Sequence, residues 1–154
     1  MKISIAVVPV CLLVVLATGL SAVPRAQASS QAIQGDGFGQ LNCSSLRWHI
    51  DFFGTKGDGL GPPQGVWNIA LAPGFEASGP ITGGAYSNTN FNLNGEVSIS
   101  SRVCTPEGTQ LSPGTQVLIK GDCTIEMMKS SQIFFKANNG VEGNFVGVVS
   151  CPVF

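Results

Sequence analysis

An all-β domain, an antiparallel β-sandwich first and a small up-and-down β-barrel as the alternative, is the fold this sequence predicts. Three observations predict it. From Ser87 to Cys104, Asn88, Asn90, Asn92 and Asn94 alternate with Thr89, Phe91 and Leu93, and Val97, Ile99 and Val103 then alternate with Ser98, Ser100 and Arg102. Period-two alternation buries one set of side chains and wets the other, as a strand with one solvated face requires. Turn signals separate several further short apolar runs. No window keeps helical periodicity for more than two turns, so strands must supply the core.

The chain opens with a secretory signal, residues 1–28. Lys2 gives the positive end, Ile3 to Leu20 carries no charge, and Ala26-Gln27-Ala28 is an A-x-A cleavage site. The apolar run is also long enough for an uncleaved membrane anchor, so membrane contact is expected only if the segment is retained. Pro9 and the small residues after the run favour cleavage. Cys11 lies inside the run and leaves with it.

Residues 29–40 are rich in Gly and Gln and read as a flexible N-terminal segment. The β domain is assigned to 41–154. Leu46 to Phe53 is its first strand, with Trp48, Ile50 and Phe52 on one face and Arg47, His49 and Asp51 on the other. Gly54 to Gly65 holds five glycines and two prolines, a composition that propagates neither helix nor sheet. Val66 to Ala72 is a strand closed by Pro73-Gly74, and Phe75 to Tyr86 is another, interrupted at Gly79-Pro80 and Gly83-Gly84. Beyond the long turn at Thr105 to Thr115 come short strands at Gln116 to Lys120, Thr124 to Met127 and Ile133 to Ala137. Asn138-Asn139-Gly140 is a hairpin turn into Gly143 to Cys151. Phe145, Val146, Val148 and Val149 put apolar residues on both faces there, which predicts a doubly covered strand.

Four cysteines remain after the signal: Cys43, Cys104, Cys123 and Cys151. An even number in an exported domain reads as two disulfides and an oxidising compartment, secreted or at the cell envelope. Three pairings are open. Joining Cys43 to Cys151 would clamp the termini and leave Cys104 for Cys123. With six Lys and Arg against nine Asp and Glu after the signal, and no basic cluster, nucleic acid is not an expected partner.

Candidate sites are few. Arg47, His49 and Asp51 form a triplet in which a carboxylate could orient an imidazole base, but a solvated strand face produces the same triplet and no nucleophile motif accompanies it. Catalytic residues are therefore assigned to none, and neither a metal nor a cofactor is expected. Asp36 and Asp58, each between glycines, lack the oxygen density of a calcium loop and read as turn residues. The Asn88, Asn90, Asn92 and Asn94 row offers amides that donate and accept, suited to a hydroxyl-rich ligand. Its bland counterpart is an ordinary polar face. Asn42-Cys43-Ser44 permits N-glycosylation, with a cysteine at its centre that a bridge would occupy.

Gly65-Val66-Trp67 followed by Gly79 to Ser87 resembles the opening of calycin barrels of the lipocalin and avidin type. That resemblance implies a barrel whose mouth holds a small apolar ligand, with Trp67, Phe91 and Phe145 as pocket residues. No Trp follows Trp67, so an avidin-type aromatic box does not carry over. The order of Gly65-Val66-Trp67, Phe91 to Cys104, Ile119 to Cys123 and Phe135 to Gly140 leading to Cys151 is also similar to small exported archaeal β-domains of unknown function, which implies fold and compartment only. The functional expectation is a non-enzymatic extracellular or envelope domain contacting a matrix, a glycan or a protein partner. The alternative is a calycin-like carrier.

Overall fold

The computed structural model describes residues 31–56, 61–104, 111–126 and 129–152. The proposed signal, 1–28, lies outside them, as does Asp58. The described residues form nine strands and no helix: β1 (Gln31–Leu41), β2 (Trp48–Lys56), β3 (Gln64–Ala72), β4 (Phe75–Tyr86), β5 (Asn90–Glu96), β6 (Ile99–Ser101), β7 (Gln116–Asp122), β8 (Ser131–Ala137) and β9 (Glu142–Ser150). Neighbours follow the order β3-β2-β1-β9-β8-β7-β5-β4, and β3 also pairs with β4. Eight antiparallel strands thus close an up-and-down barrel, and β6 continues the line of β5 along β4.

The barrel corrects the expected sandwich, and β1 is the reason. This strand pairs along its length with β2 on one edge and β9 on the other, closing what would be an open sheet. Residues 31–40, expected to be flexible, are therefore part of the wall. Glycine is poor in strands, so Gly35, Gly37 and Gly39 disguised a regular alternation. Ile33, Gly35, Gly37 and Leu41 are buried, whereas Gln34, Asp36, Phe38 and Gln40 are exposed. Asp36 is a mid-strand residue, not a turn residue.

Those glycines are also why the barrel fills. The centre of an eight-stranded barrel is just wide enough for side chains, and here large rings lie over missing side chains. A Cβ on Gly95 would stand 2.7 Å from Trp67 Nε1, and one on Gly143 would stand 2.6 Å from the Phe145 ring. The ring of Phe52 occupies the space over Gly35 in the same way. Trp67 meets Phe135 at 5.7 Å between ring centroids, and Phe52 meets Phe91 at 5.2 Å. Such tilted contacts suit the aromatic quadrupole. The inside is apolar and the outside mostly polar, the reverse of a barrel built for lipid.

Four further strand expectations shift. Phe75 to Tyr86 runs unbroken as β4, absorbing its glycines in a register shift between Ile81 and Gly83. After Glu96 the chain bends before β6, so Val97 and Val103 are buried but Ile99 turns outward. Only one face of β9 is covered: Phe145 and Val149 point in, and Val146 and Val148 are exposed. A barrel wall has no second layer to cover them. Residues 124–126 carry no strand.

The disulfides join Cys43 to Cys104 and Cys123 to Cys151, correcting the termini-clamping arrangement. Register explains the pairing. The ends of β1 and β6 meet at one rim, bringing Cys43 to Cys104, and the ends of β7 and β9 meet at the opposite rim. For sequence separations of 61 and 28 residues, loop closure gives each bridge roughly 3–5 kcal/mol. Two such bridges fit an oxidising compartment.

Tyr86 ties the Cys123 rim to the start of β1. Its hydroxyl donates to the Gln31 carbonyl, and Lys56 Nζ lies 4.8 Å from the ring centroid. Burial raises the phenol's pKa, and a hydrogen bond with the Lys56 backbone partly lowers it. A folded pKa above the unfolded value means the native state holds its proton longer. This contribution is complete below about pH 10 and is lost as pH rises through the folded value. Urea midpoints of wild type are expected to fall more steeply above about pH 10 than those of Tyr86→Phe, and parallel curves would contradict this assignment.

Candidate functional site

Among the described residues the inside of the barrel is packed core. Trp67, Phe91 and Phe145 converge there as core, with relative exposures of 1%, 2% and 1%. Ile33, Ile50, Ile69, Leu93, Ile133 and Val149 around them have none. Accessible surface includes any internal void that admits a water-sized sphere, so these residues adjoin no ligand-sized cavity. The indole N–H groups of Trp48 and Trp67 have no hydrogen-bond partner among the described residues.

On the outside, β2 carries His49 and Asp51, and β1 brings Asp36 opposite them. His49 Nε2–H donates to Asp36 Oδ2 at 2.8 Å, while Nδ1 stands 3.7 Å from Asp51 Oδ1, beyond a hydrogen bond. Asp51 instead accepts from Asn68 Nδ2 at 3.0 Å. The imidazole is therefore held between two carboxylates on the barrel wall. Asp36 completes this arrangement, and its flanking glycines hide it in the sequence because they suggest a loose segment. Arg47 lies over Phe38, 4.9 Å from the ring centroid, and the His49 ring packs against it at 4.8 Å. Arg47 and His49 thus support an exposed aromatic side chain. Among the described residues no group of three His, Cys, Asp or Glu side chains is placed to hold a metal ion.

Asn90, Asn92 and Asn94 project from β5 in a row, beside Asp122, Lys120 and Leu118 of β7. Asn88 belongs to the preceding turn and does not continue it. On the other edge the row faces Ala85 and Gly83 of β4, so neither adjoining strand gives it an aromatic platform.

Such a platform stands on β1 and β9. Their outward side chains Phe38, Gln40, Asn42, Glu142, Asn144 and Val146 line a hollow of about 420 Å³. Register places Gln40 opposite Asn144 and Phe38 opposite Val146. Asn42 bridges the β8–β9 turn, its Nδ2 donating to Gly140 O and its Oδ1 accepting from Glu142 N, both at 3.0 Å. That amide nitrogen is the atom a glycosylated sequon would use. Phe38 and Asn144 are not legible in the sequence for separate reasons: the glycines of β1 suggest a loose segment, and the apolar residues of β9 suggest cover on both faces. The alternation of Gln34, Asp36, Phe38 and Gln40 was the available signal.

A second hollow, about 730 Å³, lies between β3, β4 and β6 and is lined by Val66, Pro80 and Ile99 among others. A third, about 340 Å³, surrounds the segment after β7.

No family model, curated protein or solved structure matches this chain. The closed eight-stranded antiparallel barrel is loosely compatible with the calycin-like resemblance.

Proposed function

We propose that this is a secreted, non-enzymatic domain that acts through its outer surface, in contact with a matrix, a glycan or a protein partner. The filled barrel carries this reading. A calycin-like carrier needs an interior space for its cargo, and Trp67, Phe91 and Phe145 occupy that space themselves. Outward apolar residues add support: Phe53 and Val66 are cross-strand partners and Ile99 shares a hollow with Val66, all at least 46% exposed, and contiguous exposed apolar surface marks an interaction face. His49 is held between the Asp36 and Asp51 carboxylates and its ring packs on Phe38, which fits a role in supporting the outer surface.

The test sets the two kinds of ligand against each other. Native mass spectrometry of the oxidised protein with long-chain fatty acids and retinol is expected to show no stoichiometric complex. The same protein is expected to be retained on immobilised polysaccharides or isolated extracellular matrix. A tightly held one-to-one lipophile would overturn the reading.

A further inference from the structure

Resting on that surface-binding reading, we propose that the hollow on the outer face of β1 and β9 is a binding site for a neutral polysaccharide chain. Sugars present two chemistries at once, an apolar C–H face and a ring of hydroxyls that both donate and accept. The hollow supplies a counterpart to each. Phe38 is 46% exposed and Val146 52%, giving an apolar surface at one end. The Arg47 guanidinium lies over Phe38 and the His49 ring packs beside it, and a side chain already braced by neighbours loses less entropy when a ligand packs against it.

The hydroxyl partners are the amides of Gln40 and Asn144 and the carboxylate of Glu142. Asn144 makes no hydrogen bond through its side chain among the described residues, so its donors and acceptor are available to a ligand. Gln40 donates one bond to Ser45 O at 3.3 Å and keeps its carbonyl oxygen. Neighbouring strands lie about 4.8 Å apart, a step close to the repeat of an extended β-linked pyranose chain. Along one row Phe134 of β8, Asn144 of β9 and Gln40 of β1 follow one another at that step. Phe134 is itself 40% exposed. A chain laid across the three strands would meet a ring, an amide and an amide in succession, with Phe38 beside the last.

Charge selects among glycans. Glu142 is the one charged residue in the lining, and it is ion-paired with Lys136 at 3.3 Å. A sulfated or uronic chain would meet the Glu142 carboxylate with its Lys136 partner already engaged, and among the described residues only Arg47, itself stacked on Phe38, as a nearby cation, whereas a neutral chain incurs no repulsion.

The experiment is retention of the oxidised protein on cellulose, chitin, xylan, mannan and β-1,3-glucan, followed by calorimetry with soluble oligosaccharides of any that bind. At least one neutral polysaccharide is expected to bind. Phe38→Ala and Asn144→Ala are each expected to weaken that affinity about tenfold, equal to about 1.4 kcal/mol. Phe38→Tyr is expected to retain it, and Val66→Ala, in the hollow between β3, β4 and β6, to leave it unchanged. Near-ultraviolet circular dichroism confirms that each variant keeps its packed core. No neutral polysaccharide retained, or affinity unmoved by both alanines, overturns the site. Binding that instead depends on Asn90 or Asn94 removes this site and leaves the surface reading standing. A stoichiometric lipophile removes both.

Discussion

Trp67→Ala is expected to destabilise the barrel by about 3–5 kcal/mol, the range for deleting a fully buried large aromatic side chain. The ring is 1% exposed, packs on Phe135 and covers Gly95. Glycine has no side chain that can swing into the vacated space, and the antiparallel wall cannot collapse inward without breaking its ladder. The cavity should therefore persist and stay apolar, and such cavities take up benzene or xenon. Urea unfolding reads the stability, with an unchanged slope showing that the cooperative unit is the same. Benzene binding by the variant but not by wild type reads the cavity. A loss under about 1 kcal/mol would mean that Trp67 is not a core residue of the kind described by large-to-small substitutions.

Gly147→Val is expected to have the larger effect and to prevent β1 and β9 from closing the barrel. A Cβ at Gly147 would stand 2.7 Å from the Asp36 carbonyl carbon and still closer to other backbone atoms of β1. Overpacking against side chains typically costs about 1–3 kcal/mol because rotamers can give. Here main chain meets main chain, so relief requires separating the seam. Loss of cooperative unfolding, or failure to recover oxidised monomer, is the expected result. Wild-type stability in Gly147→Val would show that the seam lies elsewhere. Substitution of the outward neighbour Val148 by Thr changes one exposed side chain and is expected to alter stability by less than about 0.5 kcal/mol.

These glycines also mark where the sequence was legible and where it was not. Strands with large inward residues announced themselves: Trp48, Ile50 and Phe52 on β2, and Phe91 and Leu93 on β5, are buried as their alternation requires. β1 did not, because half of its inward positions carry no side chain. Missing β1 meant missing closure, so a sandwich was favoured over the barrel. The same omission hid Asp36 as the partner of His49 and Phe38 as a platform. Disulfide pairing depends on which strand ends share a rim, and that follows only from the register. Val146 and Val148 misled in the other direction, since apolar residues on both faces suggest double cover but a single-layered wall leaves one face in solvent. The Asn row was legible as an exposed face from position 90 onward. What it lacked, an adjoining aromatic, is a property of β4 and β7 that local sequence does not display.

The barrel is filled by its own side chains, and the proposed binding surface is therefore the outer one. Xenon titration of the unmodified oxidised protein, followed by methyl NMR, reads whether the interior is full. The methyls of Ile33, Leu93 and Val149, all without exposed surface, are expected to show no saturable shift, while Trp67→Ala supplies the positive response. Saturable shifts converging on those interior methyls in the unmodified protein would reveal a cavity at the barrel's centre and return the ligand to the inside.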